Sequence, residues 1–206
     1  KDTNRHKFFI DMPNLTYGID DISYNKSSYT YPTFTNNYFY LFTRNQKSGI
    51  ANYSSQKLYS CQFYDNNILV RNFVPCYRKS DSEVGMYDLV SGTFFTNQGS
   101  CSFIMGGAIL NAKQKKIYQQ VEYIESNGVE YILTDIVPDN ETGVYIKASS
   151  SNIFSDLLYF GSKGAENSRF WLGNVRGQSY FGWNVLVTRM GINSGGIYTM
   201  ELNYLN

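Results

Sequence analysis

The stretch KLYSCQFYDNNILVRNF, Lys57 to Phe73, places two strand-length runs on either side of a polar tip. Lys57–Tyr64 and Ile68–Phe73 are rich in aromatic and β-branched residues, which fit a pleated, half-buried surface. Between them stands Asp65-Asn66-Asn67, and Asn tolerates the positive φ that a tight reversal demands. The stretch reads as a β-hairpin, and its register sets Cys61 nearer Asn72 than Cys76, which argues against a bridge between the two cysteines.

The same pattern repeats outward. Val84–Asp88 and Thr93–Asn97 flank a Ser91-Gly92 turn, and Ser102–Met105 follows as a closing strand. Upstream, Lys7–Met12 ends at Pro13-Asn14, while Tyr38–Phe42 is a continuous apolar run suited to burial on both faces. Downstream, Val121–Ile124 and Tyr131–Thr134 lie across Ser126-Asn127-Gly128, and Val144–Ala148 alternates cleanly. Leu157–Gly161, Arg169–Leu172, Tyr180–Trp183 and Tyr198–Tyr204 complete the set. Ala108 to Gln120 holds good helix formers, and Asn111 to Lys116 reads as an exposed linker or short helix. Many short strands punctuated by turn residues mean an all-β sandwich or jelly roll.

Composition agrees. Of 206 residues, 19 are Tyr, 14 Phe and 2 Trp, and only 4 are Pro. A chain of this length buries about 70% of its unfolded surface and needs no staples. The formal net charge of +1 lacks the basic stripe of a nucleic-acid binder. The longest apolar run, Phe103 to Leu110, is far short of the roughly 20 residues that span a bilayer. No signal peptide is visible, so the chain reads as mature, as cut from something longer, or as not secreted by that route. One histidine, His6, removes most His-dependent catalysis and most zinc chemistry. Cys61, Cys76 and Cys101 are an odd number without a CxxC pair and read as buried thiols.

Two longer phrases carry a family resemblance. YQQVEYIESNGVEYILTDIVPDNETGVYIKA, Tyr118 to Ala148, resembles the opening of concanavalin A-like, laminin-G-type domains of bacterial surface and phage tail proteins. Leu58 to Gly106 resembles the closing part of the same domains, so the closing part here comes first. Cys101 stands where such a tail is expected to carry glycine. Reading Asn206 on into Lys1 joins Tyr198–Asn206 to Lys1–Asp11 as strand, polar turn and strand, which looks like the central hairpin of these domains. The resemblance therefore implies a concanavalin A-like two-sheet sandwich, apparently circularly permuted: 1–106 is its C-terminal part, 107–116 a linker and 117–206 its N-terminal part. A permutant, one repeat of an array framed across its boundary, and cleavage within the hairpin all fit this order.

Some glycoside hydrolases share the implied fold, but the clustered E-x-D-x-x-E strand motif of the laminarinase-type members is absent. Glu122, Glu125 and Glu130 come closest to a pair of catalytic carboxylates. Asp81, Glu83 and Asp88 surround a hairpin and read as solvated or bonded to turn amides. The chain is read as non-enzymatic. Sugars are held by aromatic rings against their C–H faces and by amide and charged groups on their hydroxyls. The richest such set is Arg169, Trp171, Asn174, Arg176, Gln178, Tyr180, Trp183 and Asn184. If Phe170 and Leu172 face the core, Arg169 and Trp171 face away from it; the competing reading buries both tryptophans between the sheets. Tyr29, Tyr31 and Tyr53 are weaker candidates.

Calcium sites occur in some members of the resembled family, though no Asp-x-Asp cluster fixes one here, and no metal or other cofactor is assigned. The expected role is a lectin-like adhesion module that is extracellular, on a cell surface or on a virion. Its expected partner is a glycan on a host or neighbouring cell, with no nucleic acid and no membrane insertion. The alternative is a structural repeat whose sandwich is completed by identical or tandem copies in a fibre or virion. Sequons at Asn14, Asn25, Asn52 and Asn140 matter only in a eukaryotic secretory host.

Overall fold

The structure, a computed structural model, describes residues 5–25, 37–46, 49–110, 117–150, 157–164, 169–175, 178–183 and 186–190. These residues form an all-β sandwich of two sheets, with no helix among them. The larger sheet runs in the order Phe94–Thr96, Val84–Asp88, Ile68–Arg78, Ser55–Asp65, Thr142–Ser150, His6–Asp11, Thr16–Ile19, Ile22–Asn25. The smaller runs Ile132–Leu133, Tyr40–Leu41, Leu157–Lys163, Arg169–Val175, Gln178–Trp183, Leu186–Met190. Gly49–Ala51 pairs with Arg44–Gln46, which lies parallel to Leu157–Lys163.

The Ser55–Asp65/Ile68–Arg78 hairpin forms as the sequence predicts. Asn66 and Asn67 take φ of 46° and 63°, the left-handed values that a two-residue turn between right-twisted strands requires. The second hairpin, Val84–Asp88 with Phe94–Thr96, also forms. Its turn is clamped by Asp88, whose buried carboxylate accepts from the Val90 and Ser91 N–H groups and the Ser91 hydroxyl. It also accepts from the Asn72 N–H at 2.8 Å, which ties the two hairpins together. The register puts Cys61 opposite Phe73 and Cys76 opposite Gly85, and all three thiols are free.

Three expectations need correction. Tyr38–Phe42 is not one continuous strand: only Tyr40–Leu41 is, because Phe42 turns left-handed at φ 70°. That kink lets consecutive Leu41 and Phe42 both enter the core. Ile124–Asn127 and Ile132–Leu133 lie in different sheets, the first against Ser55–Leu58 and the second against Tyr40–Leu41. The turn between them carries the chain across the sandwich, held by buried Glu130, which accepts from the Asn127 N–H and the Ser126 hydroxyl. Cys101, finally, is exposed rather than buried.

Both sequence halves contribute to both sheets. Thr142–Ser150 lies between Ser55–Asp65 and His6–Asp11, and Leu157–Lys163 pairs with Tyr40–Leu41. His6–Asp11 has Thr142–Ser150 on one side and Thr16–Ile19 on the other. Residues 191–206, the join to residue 1 and the 111–116 linker lie outside the described residues. Between the sheets, Phe8 meets Tyr159 at 4.9 Å, Phe39 meets Phe63 at 5.4 Å and Tyr17 meets Phe181 at 5.8 Å. Aromatic pairs at these separations add to the stabilisation from burial alone.

Candidate functional site

Strand alternation divides the three central strands of the larger sheet into two faces. Phe63, Val144, Ile146, Phe8 and Ile10 point into the core. Gln62, Tyr64, Tyr145, Lys7 and Asp11 line a groove on the opposite face, together with Asn67, Pro13 and Gly143, with a volume of about 400 Å³. That volume suits a small ligand or a few sugar units. Gly143 forms the floor. A Cβ there would stand 3.3 Å from the Tyr64 Cβ, so any side chain at 143 enters the space that the groove occupies.

The walls are aromatic and the rim is polar. Tyr64 and Tyr145 meet edge to face at 5.3 Å, and Phe9 stacks on Tyr145 at 5.7 Å. Asp11 accepts from the Asn14 N–H at 3.1 Å and from its side-chain amide at 2.9 Å, which presents the carboxylate at the groove's end. The Asn14 amide also donates to the Asn67 carbonyl oxygen at 3.5 Å, linking the Pro13-Asn14 and Asn66-Asn67 turns. The Tyr64 hydroxyl donates to Gln62 Oε1 at 3.5 Å, and Gln62 Nε2 donates to Asn72 at 3.4 Å. Burial, then the Asp11 carboxylate and Tyr64, push the Tyr145 phenol above its ordinary value, so it stays an O–H donor at neutral pH. The groove thus offers two ring surfaces, amide and carboxylate acceptors, a phenol and the Lys7 ammonium. These are hydroxyl-binding groups around apolar patches.

The residues nominated by sequence lie on the smaller sheet, and the structure divides them. Phe170 and Leu172 enter the core, and Arg169 and Trp171 face away from it, as alternation requires. Trp171 is neither between the sheets nor an open platform. Only 5% exposed, it lies across Gly161 and Gly182, where an added Cβ at 182 would stand 2.2 Å from its Nε1. In the strand register Trp183 stands opposite Phe170 and Trp171 opposite Gly182, the Trp183 side chain lying outside the described residues. Tyr180 is half-buried opposite Gly173, on the row of Trp171. Asn174 and Gln178 occupy strand positions opposite Ser179 and Val175, their side chains lying outside the described residues. Arg176, Asn184, Tyr29 and Tyr31 lie outside them altogether. Tyr53 packs edge-on against Tyr131 at 6.3 Å, and Tyr131 stacks on Tyr40 at 5.0 Å.

Two of the carboxylates weighed as catalytic, Glu125 and Glu130, are engaged elsewhere, and so is Asp81. Glu130 holds its turn, Glu125 sits 3.8 Å from Lys57, and Asp81 takes a bidentate bond from Arg78. Among the described residues no group of three or more His, Cys, Asp or Glu side chains is placed to hold a metal ion. No helix among them is long and apolar enough to cross a membrane.

No protein-family model, curated protein or solved structure matches the chain.

Proposed function

We propose that the chain is a non-enzymatic, lectin-like adhesion module that binds a glycan in the groove floored by Gly143. The observation that carries this reading is the groove itself: a side-chain-free floor, the Tyr64 and Tyr145 rings, and the Asp11, Gln62 and Asn67 polar groups on one open face. A sugar ring set against the tyrosines loses apolar hydration at its C–H face and keeps hydrogen bonds for its hydroxyls. The proposed binding site lies on the larger sheet rather than at Arg169–Asn184. We further propose a concanavalin A-like, laminin-G-type jelly roll in permuted order, from a bacterial surface or phage tail protein and so extracellular or virion-borne. Cys101 supports this: it adopts φ 66° at the position where the resembled tail is expected to carry glycine.

The test is a glycan array probed with the whole chain and with Tyr145→Ala. A glycan bound by the parent and lost by the variant supports the reading. A parent that binds no glycan, or a variant that binds as well as the parent, contradicts it.

A structural repeat is the second reading, favoured by exposed apolar side chains at Ile104, Met105, Leu110 and Ile117, with Leu110 84% exposed. Those residues suit contact with a neighbouring copy. A concentration-dependent mass in solution that is lost on Leu110→Ser and Ile117→Ser would favour assembly over adhesion.

A further inference from the structure

Among the residues whose side chains are described, the outer face of the smaller sheet carries the three cations Arg44, Lys163 and Arg169, and no ion pair reaches them. Lys163 lies directly opposite Arg169 across antiparallel strands and beside Gln46 across the parallel pair. Arg44, two residues before Gln46, folds its aliphatic stem over Gly161, where an added Cβ would stand 3.1 Å from its Cγ. The same Cβ would stand 3.0 Å from that of Trp171, so the glycine lets Arg44 and Trp171 close over the strand. Like charges facing each other across a strand pair oppose folding. The ion pairs of the described residues join His6 to Asp20, Lys57 to Glu125, Arg71 to Asp88 and Arg78 to Asp81; none reaches this face.

Buried donors on the same face lack acceptors. Arg44 donates one Nη2 bond to Gln46 Oε1 at 3.1 Å, but its Nε is buried without a partner, as are Arg169 Nε and Trp171 Nε1. Buried polar groups in folded proteins are almost always satisfied, so three orphan donors on one face call for an acceptor. The titration of the cations agrees. Burial first, then Arg169, pulls Arg44 down; burial, then Arg44 and Arg169, does the same to Lys163. Arg169 is lowered by burial alone.

We propose that Arg44, Lys163 and Arg169 form a binding site for an oxyanion, a sulfate or carboxylate group borne by a small ligand or sugar. Two planar guanidinium forks and an ammonium offer the multiple charge-assisted donors that such groups accept. The site lies on the opposite outer face from the Gly143 groove and does not depend on it.

The test uses the whole chain, titrated calorimetrically with sodium sulfate and, separately, sodium glucuronate, against sodium chloride at matched ionic strength. Arg169→Lys keeps the charge and loses the fork; Arg44→Gln removes a charge. Saturable binding of either anion, weakened about tenfold or more in both variants, is the expected result, since one charge-assisted bond is worth about that much. Binding of sulfate alone or of glucuronate alone upholds the site and identifies its anion. In chloride, Arg44→Gln should melt no lower than the parent, because relief of the repulsion and of the orphaned Nε offsets the lost bond to Gln46. Absence of saturable binding of both anions, or equal binding by the parent and both folded variants, overturns the proposal.

Discussion

Gly143 and Tyr64 face each other across the strands Thr142–Ser150 and Ser55–Asp65, and the side chain missing at 143 leaves the floor of the groove open. Under the proposed glycan-binding role the relationship ties a sequence choice to a function, since a strand gains nothing from an interior glycine and usually loses stability through one.

Gly143→Val therefore separates folding from binding. Valine suits a strand, and its Cβ must displace Tyr64 by only a few tenths of an ångström. Thermal unfolding should change by no more than about 1 kcal/mol. Glycan affinity, read by calorimetry, should fall at least about tenfold because the added methyl groups fill the groove.

Asp88 is the main polar anchor of the two hairpins. Burial pushes its carboxyl up, but bonds from the Asn72 N–H, the Ser91 hydroxyl and the Val90 and Ser91 N–H groups outweigh this and hold it below the ordinary value. The unfolded chain then binds the proton more tightly than the folded one. The anchor's contribution is fully present above the unfolded value near 3.9 and is lost as pH falls through the lower folded value. Asp88→Asn should unfold about 2–3 kcal/mol more easily at neutral pH. It should also show a flatter melting temperature below about pH 4 than the parent.

Cys101 has a left-handed backbone that a side chain disfavours, while the Asn97 amide holds its carbonyl at 2.8 Å. Cys101→Gly keeps that bond and relieves the conformation, so chemical denaturation should show a gain of about 1 kcal/mol. An unchanged or lower midpoint would contradict the strain.

Thiol reactivity should divide sharply. Cys61 is fully buried and pushed well above its ordinary value by burial. Cys76 is pushed up to about 12, burial outweighing a hydrogen bond from the Tyr87 backbone. Cys101 is exposed. Iodoacetamide at neutral pH should modify Cys101 alone in the folded chain, and all three on unfolding; early labelling of Cys61 would contradict the core described here.

Local features were legible in the sequence. Asn66-Asn67, Ser91-Gly92, the alternation of Val144, Ile146 and Ala148, and the inward pair Phe170 and Leu172 each follow from neighbours within a few positions. What depended on distant partners was not. The kink at Phe42 answers to Tyr159, whose carbonyl accepts the Phe42 N–H at 2.9 Å, and no local pattern announces it. The groove needs strands from three separate parts of the chain, and it forms only because Thr142–Ser150 inserts between Ser55–Asp65 and His6–Asp11. Its components were visible as the outward side of an alternating strand and two Asn turns, but nothing local brought them to one face. Trp171 misled because its burial depends on glycines at 161 and 182, on two neighbouring strands.

The most direct test of the glycan-binding account is amide chemical-shift mapping of the whole chain titrated with an array-selected neutral oligosaccharide. Shifts centred on Gln62, Tyr64, Gly143, Tyr145 and Asp11, saturating with ligand, are the predicted result. Shifts centred instead on Trp171 and Tyr180, or none at saturating sugar, would contradict the assignment of the groove.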